Sequence, residues 1–202
     1  MSTHKIYTIF AGVNGAGKST FYKALGQNYG IRINLDEIIK DQFSGQWDDP
    51  KTQMEAGRIA VKLIRRCISG DESFNQETTL TGNTIVTNIK KAKANGFKIS
   101  LFYVGLNNVD LSIERVALRV IQGGHGVPED DLRRRYANSF ANLQAVLPLC
   151  DSVRIYDNSG DNIFDVLSPF LIIRDGEIKL WDENCPDYLK TVIHEYVGEI
   201  LG

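Results

Sequence analysis

The chain has 202 residues, 43% of them hydrophobic and 24% charged, with a formal net charge of −2. That length supports one ordinary domain with a sizeable core. The charge balance argues against a broad basic footprint for nucleic acid. Cys67, Cys150 and Cys185 are too far apart for a C-x-x-C pair or a metal spacing, so buried thiols in a reducing compartment are expected. No apolar stretch approaches a membrane span, and the first strand starts too early to leave room for a signal peptide. A cytoplasmic protein with no membrane partner is the expectation.

Residues 6–10 are apolar and β-prone, and they predict a first strand. They lead into Gly12-Val13-Asn14-Gly15-Ala16-Gly17-Lys18-Ser19-Thr20, which reads G-x-x-x-x-G-K-S, the Walker A phosphate loop. A helical run at 20–27 follows, with Phe21, Ala24 and Leu25 on one face. Strand, glycine loop and helix in that order are the context the motif requires. The glycines let backbone N–H groups converge on phosphate oxygens, and the helix start adds its positive dipole end. Lys18 supplies a cation for the β- and γ-phosphates, and the Ser19 hydroxyl suits Mg²⁺. Gly12, Asn14, Gly15, Ala16, Gly17, Lys18, Ser19 and Thr20 are therefore the expected nucleotide site, for ATP or GTP with Mg²⁺.

Beyond the loop, 31–35 alternates as a short strand, Asp36 follows it, and 37–43 is helical. A polar connector at 45–50 precedes a helix over 51–69, which Gly70-Asp71 breaks. A weak strand at 72–78 ends in Asn75-Gln76-Glu77-Thr78-Thr79. A helix at 83–95, closed by Gly96, leads to a strongly apolar strand at 98–104. Helix 109–121 gives way to the loop Gly123-Gly124-His125-Gly126-Val127-Pro128, after which Pro128 and three acids start a helix running to about 147. Strand 152–156 turns out through Asp157-Asn158-Ser159-Gly160. Runs 171–174 and 177–181 flank Asp175-Gly176 as a hairpin, and 188–201 is an amphipathic helix. Alternating strands and helices predict an α/β fold: a doubly wound, mainly parallel sheet with helices on both faces. A single domain is expected over 1–202, with a core at 5–160, a lid at about 119–135, and a C-terminal hairpin and helix at 170–202.

Ligands of such sheets bind outside the carboxyl ends of the strands. Asp36 sits there, either to take the proton of an attacking hydroxyl or to cap the helix after it. Glu77, with Thr78 and Thr79, either meets substrate hydroxyls or a Mg²⁺ water shell, or is a solvated loop acid. Arg115, Arg119, Arg133, Arg134 and Arg135 flank the Gly123-Gly124 loop, where a hinged lid would bring cations onto a transferring phosphoryl group. Arg115 and Arg119 share a helical face. Arg133 reads as solvent-facing, which leaves Arg134 and Arg135 as the better candidates. His125 either touches ligand or is an exposed loop residue. His4 and His194 read as structural or surface residues. Asp157-Asn158-Ser159 is either a plain turn or a border of the adenine or acceptor pocket.

Together, Gly12-x4-Gly17-Lys18-Ser19, Asn34-Leu35-Asp36-Glu37, Glu77-Thr78-Thr79, Arg119-x5-His125-Gly126-Val127-Pro128-Glu129, Arg134-Arg135-Tyr136 and Tyr156-Asp157-Asn158-Ser159 resemble the zeta-toxin family of P-loop kinases over residues 5–160. The likeness is to its small chromosomal members. It implies a P-loop kinase fold related to nucleoside monophosphate and shikimate kinases, with ATP and Mg²⁺. For the toxins proper it implies phosphorylation of UDP-N-acetylglucosamine. By position it implies Asp36 as general base, Lys18 as phosphate clamp, and Arg119 with Arg134 or Arg135 as lid cations. It also puts Glu77 and Thr79 in the acceptor pocket, His125 in the lid, and an antitoxin as partner. The toxins proper have a larger acceptor region and lack this Gly-Gly-His segment. The expected activity is ATP-dependent phosphotransfer to a hydroxyl on a small molecule. A nucleotide-hydrolysing switch is the alternative, as is a nucleoside or polynucleotide-end kinase. A motor would end its best apolar strand in a Walker B acid, and 98–104 runs instead into Gly105-Leu106.

Overall fold

The apolar run that enters the phosphate loop becomes β1 (Ile6–Ala11), the middle one of the sheet's five parallel strands. A computed structural model describes residues 5–160 and 168–201, and His4 lies outside them. β1 pairs in parallel with β3 (Phe74–Thr78) on one side and β4 (Lys98–Gly105) on the other. Outside these lie β2 (Ile31–Ile33), parallel to β3, and β5 (Ser152–Asp157), parallel to β4. β6 (Leu171–Arg174) and β7 (Glu177–Trp181) add antiparallel to β5, giving the order β2-β3-β1-β4-β5-β6-β7. Asp175 and Gly176 make the hairpin turn with φ of +49° and +79°, the double positive φ that a tight hairpin favours. The hairpin is thus a continuation of the main sheet. The mainly parallel α/β architecture is the one the sequence pattern predicts.

Buried on both faces, β1 sends alternate side chains into two cores. Tyr7, Ile9 and Ala11 face α3 (Pro50–Ser69), α4 (Thr84–Ala94), α6 (Glu129–Val146) and α7 (Asp187–Leu201) through Ile64, Ile89, Leu143 and Leu189. Phe10 points the other way. It stacks on Phe102 at 5.0 Å, within an apolar cluster that includes Phe21 of α1 (Lys18–Leu25). Cys67, Cys150 and Cys185 are buried free thiols. Among the described residues no helix is long and apolar enough to cross a membrane.

Local chemistry moves some boundaries. The strand expected at 31–35 stops at Ile33, because the Asn34 side chain accepts the Asp36 N–H at 2.8 Å and starts α2 (Leu35–Phe43) two residues early. Asn34, then, is the cap, and Asp36 sits in the first turn. Gly26, with φ +60°, closes α1 at Leu25, two residues short of the expected end. Asp49 caps α3 by accepting from Lys51 and Thr52, with Pro50 in the first turn. α6 ends at Val146, and a 3₁₀ turn (Leu147–Leu149) leads into β5. The Tyr188 phenol donates to the Asp157 carboxylate and ties α7 to the end of β5.

Leu189 and Ile193 are fully buried, so α7 belongs to the core and does not merely trail the domain. Leu189→Ala is expected to cost about 2–5 kcal/mol of unfolding free energy in urea titrations. Exposed Glu195→Ala should stay within about 0.5 kcal/mol of wild type.

Candidate functional site

The phosphate loop wraps the C-terminal end of β1 because two glycines permit it. A Cβ on Gly12 would overlap the Val104 carbonyl oxygen, and Gly17 (φ +80°) has Asn158 Nδ2 only 2.6 Å from where its Cβ would lie. The turn after β5 is the loop's clamp. Asn158 Nδ2 donates to the Ala16 carbonyl at 3.0 Å, and Arg115 donates to the Asn158 and Gly160 carbonyls at 2.7 and 3.1 Å. Ser112 Oγ donates to the Asn14 carbonyl at 2.7 Å. Gly12 and Ala16 thereby support the loop from beneath. Asn14, Gly15, Gly17, Lys18, Ser19 and Thr20 line the cleft itself.

That cleft has a volume of about 590 Å³ and runs from the loop past Asp36 and Glu77 to α3 and α4. Lys18 is buried at its edge, and its ammonium donates to the Val13 carbonyl at 2.9 Å. Burial lowers its pKa, and the Glu77 and Asp36 carboxylates oppose that drop. The Ser19 hydroxyl donates to Glu77 Oε1 at 2.7 Å. The other Glu77 oxygen accepts from Arg32 Nη2 at 2.7 Å and Asn34 Nδ2 at 2.9 Å. Among the described residues no group of three or more His, Cys, Asp or Glu gathers as a metal cage. A hydroxyl beside a carboxylate is the oxygen donor set that suits Mg²⁺, which keeps waters and phosphate oxygens as its remaining ligands.

The lid loop lies over this floor. Arg119, near the end of α5 (Val109–Ile121), donates from Nε to the His125 carbonyl at 3.0 Å. Its Nη2 lies 3.1 Å from His125 Nε2. His125 Nε2 is also 3.5 Å from Asp36 Oδ1, and its ring stacks on Trp47 at 5.7 Å and 18°. Gly124 allows this docking, since a Cβ there would sit 2.6 Å from Arg119 Cγ. Burial lowers the His125 pKa, the nearby Asp36 carboxylate raises it, and Arg119 lowers it further. A neutral ring that accepts from Arg119 through Nε2 satisfies both observations. Burial also lowers the Arg119 pKa, opposed by Asp36 and Glu77.

The arginine cluster separates by direction. Arg115, Arg119 and Arg135 line the cleft. Arg134, expected as a lid cation, does not: it is 62% exposed and pairs with Asp131 at 2.6 Å. The reason is helical phase, because one residue of α6 turns the side chain about 100° and only Arg135 faces inward. Arg133 points outward to Glu129 and Asp110, as its place beside Leu132 predicts. Thr79 lines the cleft and shares a 3.0 Å hydrogen bond with Thr81. Asp157 and Ser159 do not line it. Their hydrogen bonds to Tyr188, Asn107 and each other hold the strand end.

Two residues had no place in the sequence reading. Arg32 holds Glu77 and stacks over the Tyr22 ring at 3.8 Å. Its spacing of two from Asn34 on a strand was the available signal. Trp47 sits in a connector that read only as polar, and no periodicity marks it.

Comparisons with known proteins agree with the fold. The family model described as Zeta toxin matches residues 2–184. A Haemophilus influenzae chain, described as an uncharacterized protein, is 38% identical over 128 residues, which is 63% of this chain and 89% of that one. A chain from the PezAT chromosomal toxin-antitoxin system of Streptococcus pneumoniae superposes with a TM-score of 0.57 at 17% identity, covering 99% of this chain and 88% of that one. A chain of the AvrRxo1-ORF1:-ORF2 complex with ATP gives a TM-score of 0.69 at 17% identity, over 95% of this chain and 64% of that one. At these identities the structural likeness is one of fold.

An unfolded histidine takes up its proton near pH 6.5, whereas the buried His125 does so only at lower pH. Protonation therefore works against the docked ring, so docking is favoured above about pH 6.5 and weakens as pH falls below it. NMR titration of the ring protons should give His125 a midpoint below 6.5. A midpoint at or above that value would contradict the docked, neutral ring.

Proposed function

The chain belongs to the zeta toxin family, and on that premise we propose that it is an ATP-dependent kinase that moves the γ-phosphate onto a hydroxyl of a small-molecule acceptor. The observation that carries this reading is the convergence of Lys18, the Ser19–Glu77 pair, Asp36, Arg119 and Arg135 on one cleft. A phosphoryl-transfer site requires those roles: an anion cradle, a base beside the incoming hydroxyl, and cations for the equatorial oxygens.

In this proposal the loop N–H groups and Lys18 hold the β- and γ-phosphates. Ser19 would hold Mg²⁺, with Glu77 receiving its waters, and the ion would neutralise charge between the phosphates. Asp36 accepts the proton of the acceptor hydroxyl as its oxygen attacks phosphorus. Arg119 and Arg135 face the oxygens that gain charge as the bond to ADP breaks. The docked lid excludes water that would otherwise take the phosphoryl group. An N-acetyl sugar carried on UDP is an acceptor that family membership suggests. An antitoxin partner is proposed on the same ground, with the S. pneumoniae toxin-antitoxin system as the related case. The related complex solved with ATP supports that nucleotide as donor. A cytoplasmic setting belongs to the same proposal, because ATP is supplied there.

Mass gain of one phosphate on an acceptor, measured beside calorimetric ATP binding, tests the assignment. Asp36→Asn should keep ATP affinity and lower transfer by roughly 10²–10⁴-fold. Full transfer in that variant would remove Asp36 as base. Lys18→Ala should lose nucleotide turnover. Arg119→Ala and Arg135→Ala should slow transfer far more than they weaken ATP binding, while Arg134→Ala keeps the wild-type rate. Fast ATP hydrolysis that no acceptor alters would favour a nucleotide switch instead.

A further inference from the structure

The cleft is electrostatically divided. Lys18, Arg115, Arg119 and Arg135 all line its phosphate-loop and lid side. The opposite arm, walled by β2, β3, α3 and α4, is lined by Ile33, Gly57, Ala60, Ile64, Gln76 and Asn88, with threonines at its mouth. No Lys, Arg or His lines that arm among the described residues. The charges at its entrance are the carboxylates Asp36 and Glu77, and Arg32 already neutralises the second.

Three features show what the arm would accept. Asn88 is only 6% exposed and lines the arm. Its amide has two N–H donors and a carbonyl acceptor to offer a bound molecule there. Gln76 is oriented from behind, because the buried Tyr7 phenol donates to its Oε1 and leaves the amide N–H groups for the cleft. Gly57 lies inside α3, where glycine is disfavoured against alanine. Nothing lies within 4 Å of the Cβ it lacks, so its absence preserves open space and relieves no clash.

We propose that the α3–α4 arm binds the acceptor as an uncharged molecule bearing hydroxyl and carbonyl groups, such as a free or N-acetylated sugar, in preference to its phosphate or diphosphate esters. This rests on the kinase reading and narrows its acceptor. Amides and a small apolar wall recognise neutral polar groups. A phosphate in the arm would be desolvated with no cation and would face the Asp36 carboxylate at the entrance.

Saturation-transfer NMR on the full chain, with a non-hydrolysable ATP analogue bound, tests this with matched probes: N-acetylglucosamine, N-acetylglucosamine 1-phosphate and UDP-N-acetylglucosamine, and glucose beside glucose 6-phosphate. Neutral members are expected to bind at least about tenfold more tightly than their charged counterparts, a gap of about 1.4 kcal/mol. Gly57→Leu, with a melting temperature like that of wild type, should lose them. Asn88→Leu gives a second reading if Gly57→Leu does not fold, and it should lose them as well. Equal or tighter binding of the charged members overturns the proposal. So does failure of every neutral member to bind, or unchanged binding in the folded variants. Binding needs no chemistry, so neutral binding without transfer would sink the kinase reading alone. Transfer confined to the UDP-sugar would keep the kinase reading and sink this one.

Discussion

One carboxylate organises the cleft. Glu77 accepts from Ser19 on α1, Arg32 on β2 and Asn34 at the start of α2, and its own strand is β3. Three stretches of chain distant in sequence, contributing four elements, meet at two oxygen atoms. A carboxylate this buried is costly unless it is paired and hydrogen-bonded, and three donors meet that requirement. The arrangement sets where Ser19 points. Through Asn34 it also sets where α2 begins, and Asp36 therefore stands in the first turn of that helix, facing the cleft.

The sheet supplies the rest of the geometry. Parallel strands bring the ends of β1, β2 and β3 to one rim, where the loop, Asp36 and Glu77 lie side by side. The loop is also pinned from the far side, by Asn158 at the Ala16 carbonyl, by Ser112 at the Asn14 carbonyl and by Arg115 bridging to the turn that carries Asn158. Asn158 thus serves the loop. An anion cradle made of backbone N–H groups works only if it stays in place without its anion, and these contacts preorganise it.

The lid is held more lightly. Its side-chain contacts are two from Arg119 to His125 and one aromatic stack of His125 on Trp47. The docked loop places a neutral ring beside the proposed base and an arginine beside the proposed phosphoryl site. Gly123 takes φ +85°, where other residues would be strained.

The sequence by itself determined the phosphate loop, the alternating α/β order, the hairpin and part of the cleft's lining, because those follow from local spacing and from the rule that ligands meet strand ends. Asp36, Glu77, Thr79, Arg119 and His125 were legible in that way. Tertiary structure alone decided which neighbour of a motif faces inward. Arg134 and Arg135 are indistinguishable in composition, and helical phase against the packed sheet separates them. Asn34 rather than Asp36 caps α2, because Asn34 is held on its other side by Glu77 across two strands. Trp47 meets His125, and Asn88 and Gly57 meet in one arm, only once the chain is folded. The physical reason is common to all of these. Spacing along the chain encodes local conformation, whereas contacts between distant segments depend on how whole faces pack.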